Sequence, residues 1–95
     1  MDKKMVFEKT ISTPYFQFKL SANTLNYNRF GIIISNTVVK KSTRRHFWKR
    51  KFTHEVRAWP SLKKDILVIV SRNIENLPAT DLKKEVNKIL QRIRE

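Results

Sequence analysis

The sequence predicts an α/β (α+β) two-layer sandwich, a small mixed sheet with helices packed on it, and three observations support that class. Segments with strand-like alternation or short apolar runs are interleaved with segments of helical period. The 95 residues are too few for two hydrophobic cores. Hydrophobic residues make up 40% of the chain, which is too apolar for a disordered tail although the formal net charge is +13. Residues 1–95 are therefore expected to form one folded basic domain.

Two strands are predicted in the first part of the chain. After Pro14, the segment YFQFKLS alternates and predicts a strand with one buried face. The apolar face holds Phe16, Phe18 and Leu20. The opposite face holds Tyr15, Gln17 and Lys19. SANTLNYN supplies turn residues, and the apolar run RFGIIIS predicts a second strand buried on both faces. We expect these strands to pair as an antiparallel hairpin, whereas residues 1–12 fit either a short helix or a loose arm.

A helix, a third strand and a last helix are predicted to follow. The period becomes helical from Thr43 to Trp59, and Pro60 ends that helix, with Ser42 or Thr43 as its N-cap. KDILVIVSR, residues 64–72, predicts the third strand, and residues 73–78 predict a loop. Thr80 or Asp81 is expected to cap a last helix with an ordinary solvated outer face. The apolar residues of that helix recur at helical spacing: Leu82, Val86, Ile89, Leu90 and Ile93.

The segment KKSTRRHFWKRKF, residues 40–52, combines cations and aromatics without an acid. At about 100° per residue, the side chains of Phe52, Val56 and Trp59 fall within about 80° of Trp48 and form an apolar arc. The opposite side of the helix is polar and basic: His46, Lys49, Arg50, Thr53, His54 and Arg57. The projection therefore predicts an amphipathic helix with an aromatic core face and a basic outer face.

The charge is distributed unevenly along the chain. No carboxylate occurs between Lys9 and His54, and like charges such as Arg45 and Lys49 stand four residues apart. The simpler interpretation is a face that only keeps the helix soluble, but solubility is usually achieved with mixed charges. A one-signed field attracts polyanions, so nucleic acid is the leading expected partner and an anionic membrane the second.

Several function classes are excluded by residue types. The chain has no Cys, which excludes thiolate nucleophiles and Cys-based zinc sites. A metal nuclease needs gathered carboxylates, and the acid-free half does not supply them. The two His residues, His46 and His54, would lie about 12 Å apart along one helix, too far to act on one phosphate. These residue types lead us to expect no catalytic residue and no metal site in the protein itself. Because no apolar run is long enough to span a bilayer, we also expect a cytoplasmic protein.

The order of elements and one basic motif resemble the protein subunit of bacterial ribonuclease P. Family members carry a strand ending in Ser, a basic connection and a helix opening with R-N-x-x-K-R-x-x-R. The matching positions here are Ser35 for the Ser, and Arg45, His46, Lys49 and Arg50 for R, N, K and R. DILVIVSRNIENLPATDLKKEVNKIL is similar to the family's next strand, loop and final helix, so the resemblance covers roughly residues 7–93. His46 replaces the Asn, Thr53 stands in place of the last Arg, and little room remains before Phe16 for the family's first helix.

The resemblance implies a left-handed βαβ crossover and a division of labour in precursor tRNA processing. It implies that the RNA subunit hydrolyses the phosphodiester with bound Mg²⁺, and that the protein itself holds no cofactor. The protein is expected to bind this RNA as a monomer and not to bind a membrane. Residues expected at ribonuclease P RNA are Arg45, His46, Lys49, Arg50 and Thr53, to which charge and projection add Lys40, Lys41, Arg44 and Arg57. Residues expected to line a groove for the 5′ leader of precursor tRNA are Tyr15, Phe16, Gln17, Phe18 and Lys19. If Phe16 and Phe18 belong to the core, Tyr15 and Gln17 face the leader.

A second interpretation stays open on the sequence alone. A general RNA- or ribosome-binding module of similar basic α/β build, with no part in tRNA processing, predicts the same salt-sensitive binding.

Overall fold

The structure is a computed structural model, and it describes residues 8–94 of the chain. Within them, four strands form one sheet: β1 (Lys9–Ser12), β2 (Phe16–Ala22), β3 (Arg29–Ile33) and β4 (Lys64–Val70). Two α-helices accompany the sheet: α1 (Ser42–Arg57) and α2 (Leu82–Arg94). Short 3₁₀ helices span Arg72–Asn76 and Ala79–Asp81, so part of the predicted 73–78 loop is helical. Neither α-helix within residues 8–94 combines the length and apolar character needed to cross a bilayer.

The strands lie in the order β1-β2-β4-β3. β2 and β3 are therefore not neighbours, and the predicted hairpin between them is wrong. β4 is inserted between β2 and β3 and pairs antiparallel with β2 and parallel with β3. The third apolar segment thus takes the central position, where both of its edges are hydrogen-bonded. β3, α1 and β4 form a βαβ unit, since two parallel neighbours require a crossover connection.

β3 is an edge strand, and the prediction that both of its faces are buried is wrong. Phe30 and Ile32 are half-buried and pack against the core, but Ile33 is 49% exposed. Period-2 alternation turns Ile33 to the face that no helix covers within residues 8–94, and an apolar run alone does not reveal this.

The core lies between one face of the sheet and the two helices. From the sheet come Phe16, Phe18 and Leu20 of β2 and Ile66, Val68 and Val70 of β4. The predicted apolar arc of α1 is confirmed, because Trp48, Phe52, Val56 and Trp59 are all buried. The ring centroids of Phe16 and Phe52 are 5.1 Å apart in an edge-to-face arrangement, and those of Phe18 and Trp59 are 5.7 Å apart. Such aromatic contacts fix α1 against β2 in a defined orientation.

The ends of the elements differ from the sequence prediction in three places. Lys41 is the N-cap residue of α1 and makes no side-chain capping bond, so the assignment of Ser42 or Thr43 is wrong. The predicted cap positions of α2, Thr80 and Asp81, belong to the 3₁₀ helix that leads into it. Residues 9–12, left open between helix and arm, form β1, with Ile11 in the core, whereas residues 1–7 lie outside the described part of the chain.

Candidate nucleic-acid interface

α1 and the two lysines before it carry a series of basic and polar side chains, which we call the α1 basic face. It consists of Lys40, Lys41, Arg44, Arg45, His46, Lys49, Arg50, Thr53, His54 and Arg57, the last of them at the carboxyl end of the helix. Most of these side chains are exposed, while Arg44, Arg45 and Thr53 are half-buried. The structure gathers Lys49, Arg50, Thr53, His54 and Arg57 around one depression. Arg44 and Arg45 instead lie about 40° and 60° from the buried Trp48 around the helix axis, at the border of the apolar arc.

Arg44 is tied to the fold by a carboxylate from a distant part of the chain. Its Nη2 atom lies 3.1 Å from Oε1 of Glu75, which also accepts a 2.6 Å hydrogen bond from Nε1 of Trp48. The Arg44 guanidinium also stacks 4.5 Å from the centre of the Phe47 ring. Hydrogen bonds from Arg44 and then Trp48 lower the pKa of Glu75, so its carboxylate stays charged. Arg44 therefore anchors the start of α1 to the 3₁₀ helix that carries Glu75.

Arg45 is held by the connection that leads into its own helix. Its Nη1 atom donates to the carbonyl oxygens of Val39 and Lys40 at 2.9 and 2.8 Å. These bonds close the turn between β3 and α1, yet they do not neutralise the guanidinium charge, since a carbonyl carries no net charge. Arg45 combines a structural bond with a charge on the basic surface.

The cations of the later helical turns form no comparable bonds to the fold within residues 8–94. Lys49, Arg50 and Arg57 are exposed and form no ion pair with an acid of residues 8–94. Together with Thr53 and His54 they line a shallow depression of about 340 Å³. This part of the α1 basic face offers uncompensated charge to an external anion.

The residues of the second predicted site, on the sheet, differ in exposure. Phe16 and Phe18 are 1% and 0% exposed and belong to the core, and Phe16 also borders a surface depression at the start of β2. Tyr15 lies in the bend before β2 and packs half-buried against the core, so it does not stand on the outer face as alternation predicts. The bend is fixed by Thr13, whose hydroxyl accepts from the backbone N–H of Tyr15 and of Phe16.

Gln17 and Lys19 lie on the face of the sheet opposite the helices, as their alternation predicts. We call this the outer sheet face. Both side chains are half-buried, and Gln17 donates from Nε2 to the Ser12 hydroxyl at 3.1 Å. A depression of about 260 Å³ at the start of β2 is bordered by Gln17 and by Ile69 and Ser71 of the neighbouring chain segment. The outer sheet face thus mixes polar groups with apolar surface.

An ion pair marks the opposite end of the outer sheet face. Arg29 donates from Nε and Nη2 to the two carboxylate oxygens of Asp65 at 2.7 and 2.6 Å, and Asn23 adds a third bond at 3.0 Å. The hydrogen bonds from Arg29 and then Asn23 lower the pKa of Asp65, which is 7% exposed. The charges of Arg29 and Asp65 compensate each other within the protein, and their ion pair links β3 to β4.

Sequence patterns gave no indication of Glu75 as a partner of α1. It is 31 residues from Arg44 and lies in a segment with no helical or strand period. No group of three or more metal-binding side chains occurs within residues 8–94.

A one-signed helix face, carried by a helix whose other side is locked in an aromatic core, defines a basic polyanion-binding domain of the α/β class. The comparison with protein families is more specific. The model of the family described as Ribonuclease P matches residues 3–94, and the chain therefore belongs to the ribonuclease P protein family. Its role is that of the protein component of ribonuclease P, a ribonucleoprotein endonuclease of tRNA processing that acts with an RNA subunit.

Solved structures agree with this assignment. The fold is similar to that of the Staphylococcus aureus RNase P protein, with a TM-score of 0.78 and 20% identity over 87% of this chain and 78% of that one. It is also similar to the Thermotoga maritima RNase P protein in complex with 1-(4-fluorophenyl)-2-thiourea, with a TM-score of 0.76 and 26% identity over 88% of this chain and 84% of that one. The search of curated proteins found no match.

Proposed function

We propose that the α1 basic face binds the RNA subunit of ribonuclease P, and that the outer sheet face receives the 5′ leader of precursor tRNA. One observation carries the first part: Lys49, Arg50 and Arg57 are exposed and unpaired with any acid of residues 8–94, on a helix fixed by its buried opposite side. Like charges close together on one helix repel one another, and a line of phosphates removes that repulsion.

The start of α1 supports the same proposal. Its N-cap makes no side-chain bond, and its first turn contains no acid to complement the positive end of the helix dipole. Lys40 and Lys41 precede this turn and are exposed. Phosphate oxygens would accept from the unpaired backbone N–H groups and from both lysines, which extends the proposed RNA contact along the whole helix.

The leader proposal rests on the composition of the outer sheet face. A single-stranded RNA segment needs apolar surface for its bases and polar or basic groups for its backbone. Gln17 and Ile69 line the depression at the start of β2, and Lys19 follows Gln17 on the same face of the strand. Because Phe16 and Phe18 are core residues, Gln17 and Lys19 carry this site, and Tyr15 contributes only its partly exposed edge.

The chemistry is proposed to belong to the RNA. The chain has no carboxylate between Lys9 and His54, and Glu55, the one acid of α1, lies about 20° from the buried Trp48 around the helix axis. The α1 basic face therefore has no acid of its own with which to hold Mg²⁺. In this proposal Mg²⁺ sits on the RNA subunit, and a single copy of the protein lowers the Mg²⁺ demand by neutralising phosphates. Such a complex forms in the cytoplasm, away from membranes.

A reconstitution assay tests the proposed role. Purified protein added to cognate ribonuclease P RNA at low Mg²⁺ should restore removal of the leader from precursor tRNA. Absence of rescue by a protein that still binds RNA would favour the alternative, a general RNA- or ribosome-binding module.

The α1 basic face is tested by a double substitution. Lys49→Ala with Arg50→Ala should weaken binding to ribonuclease P RNA and reduce the slope of log affinity against log salt by about one to two, the share of two phosphate contacts. Lys83→Ala with Lys84→Ala on α2 removes the same charge from another exposed surface and is the matched control. Equal losses in the two variants would show that net charge, rather than this face, drives binding.

The leader site is tested by substrate preference. Gln17→Ala with Lys19→Ala should reduce the preference of the reconstituted enzyme for precursor tRNA over mature tRNA, because only the precursor carries a leader. An equal loss of affinity for both RNAs would contradict a leader site on the outer sheet face.

A further inference from the structure

A third depression opens at the carboxyl end of α1, on the side of the domain that carries the connection from β2 to β3. It has a volume of about 240 Å³, several times the roughly 30 Å³ of a water molecule in the liquid. Its walls include Tyr27, Phe30, Val56, Arg57 and Trp59. Tyr27 is 59% exposed, so one side of its ring is open to solvent. The depression therefore combines an exposed ring, a cation and an apolar floor.

The backbone around this depression is fixed before any ligand arrives. Asn28 donates from Nδ2 to the Pro60 carbonyl at 3.1 Å and accepts the backbone N–H of Leu62 on Oδ1 at 2.9 Å. The Ser61 hydroxyl donates to the Asn26 carbonyl at 2.7 Å. These bonds clamp the β2–β3 connection to the segment after α1, and the position of Tyr27 over the depression follows from the clamp.

Trp59, which lines the depression, carries an unpaired donor. Nε1 of Trp59 is buried and has no acceptor among residues 8–94, whereas the other indole nitrogen, that of Trp48, is bonded to Glu75. A buried donor without an acceptor is unfavourable and rare, so it calls for a partner. Nε1 is covered in the free protein, so a ligand would reach it only if the side chains around it move.

Arg57 connects this depression to the α1 basic face, because it lines both. An RNA backbone that follows Lys49 and Arg50 along the helix therefore arrives at Arg57 beside Tyr27. From this continuity we infer that the depression is a subsite for one unpaired nucleobase of the RNA that lies on the α1 basic face. The base stacks on Tyr27, Arg57 holds the adjoining phosphate, and a ring nitrogen or carbonyl oxygen of the base accepts from Trp59 Nε1.

The inference rests on the proposed function, since it needs RNA on α1, but it adds a requirement of its own. Phosphate contacts on Lys49 and Arg50 do not distinguish paired from unpaired RNA, whereas stacking on Tyr27 requires a free base face. The protein should therefore prefer RNA with an unpaired base over RNA that offers the same phosphates without one.

Two RNA hairpins of identical sequence provide the test, one with a single bulged adenine and the other with an abasic ribose at that position. Wild-type protein should bind the bulged hairpin at least about fivefold more tightly, the lower end of what one stacked base contributes. Tyr27→Ala should abolish this ratio, while Tyr27→Phe, which keeps the ring, should retain it. Lys49→Ala with Arg50→Ala should weaken binding to both hairpins and leave the ratio unchanged.

The indole N–H signals in a nitrogen–proton correlation spectrum report the contact directly, with Trp59→Phe to assign them. The Trp59 signal should shift with the bulged hairpin and not with the abasic one, and the Trp48 signal should move with neither. Equal affinity of the wild type for the two hairpins would overturn the base subsite but leave the proposed function standing. Failure of both hairpins to bind would overturn the base subsite, whereas the proposed function is overturned only if ribonuclease P RNA itself is not bound. An unmoved Trp59 signal on tight binding would overturn the indole hydrogen bond.

Discussion

Truncation of Glu75 should destabilise the fold by more than an exposed ion pair contributes. Glu75 lies outside α1, but its Oε1 atom accepts from Nε1 of Trp48 at 2.6 Å and from Nη2 of Arg44 at 3.1 Å. Glu75→Ala removes the acceptor of a side chain that is only 1% exposed. The ion pair and the indole bond contribute separately to the expected loss, and they can be measured separately.

The two contributions differ in size because the partners differ in exposure. The side chains of Arg44 and Glu75 are 41% and 42% exposed, so their ion pair contributes about 0–1 kcal/mol. An indole donor left buried without an acceptor costs about 1–3 kcal/mol, with the lower figure applying where water enters the space. The expected loss is about 2 kcal/mol, which corresponds to roughly 8–16 °C in Tm for a domain of this size.

Urea unfolding followed by far-ultraviolet circular dichroism measures this loss, and a double-mutant cycle separates its parts. In a Trp48→Phe background no indole donor remains, so Glu75→Ala should then cost about 1 kcal/mol or less. The coupling free energy between positions 48 and 75 is expected to be about 1–2 kcal/mol. An identical cost of Glu75→Ala in both backgrounds would refute the reasoning, because it would mean that the indole bond contributes nothing.

Three further predictions follow from burial and charge. Because Arg29 lowers the pKa of Asp65, the Arg29–Asp65 ion pair stabilises the fold fully above the unfolded pKa of about 3.9, and this stabilisation disappears as pH falls through the lower folded pKa. Asp65→Asn should remove this part of the pH dependence of the free energy of unfolding in urea. An unchanged pH profile would contradict the assignment. Phe18→Ala should cost about 3–5 kcal/mol and Gln17→Ala about 0.5 kcal/mol or less, and similar costs would show that the faces of β2 are misassigned. Ile33→Lys at the exposed edge should change stability by about 0.5 kcal/mol or less, and a loss above about 1.5 kcal/mol would mean that this edge is covered.

The amphipathic character of α1 was predictable because it is a local property. Trp48, Phe52 and Val56 are placed by the helical period alone, and the structure buries all three. Trp59 is also buried but lies beyond the end of the helix at Arg57, two residues short of the predicted end. The alternation of β2 was predictable for the same reason, although it failed at Tyr15, where the strand has not yet begun. β1 escaped prediction because a four-residue strand with the single core residue Ile11 has too short a pattern.

The strand order was not predictable from periodicity, because pairing is a long-range property. The segment RFGIII is the next apolar segment after β2, and proximity in sequence favours a hairpin. β4 is instead the strand that pairs on both sides, with Phe18 opposite Val68 and Ile32 beside the same residue. It presents Ile66, Val68 and Val70 to the core and Leu67 and Ile69 to the outer sheet face, whereas β3 has the small Gly31 between its apolar residues. The richer strand occupies the centre, since more apolar area is removed from water there.

The two kinds of cation in α1 follow from their distance to the start of the helix. Positive charge in the first turn interacts unfavourably with the helix dipole. In that turn Arg44 donates to the carboxylate of Glu75, and Arg45 donates to two backbone carbonyl oxygens. Lys49 and Arg50 lie beyond the reach of that field and need no internal partner to be tolerated. A motif spaced as R-x-x-x-K-R therefore combines two tasks in one helix: its first residue fixes the turn before α1, and its later residues keep their charge available to an outside polyanion. Substitution of the early cation should change folding and binding together, whereas substitution of the later pair should change binding alone.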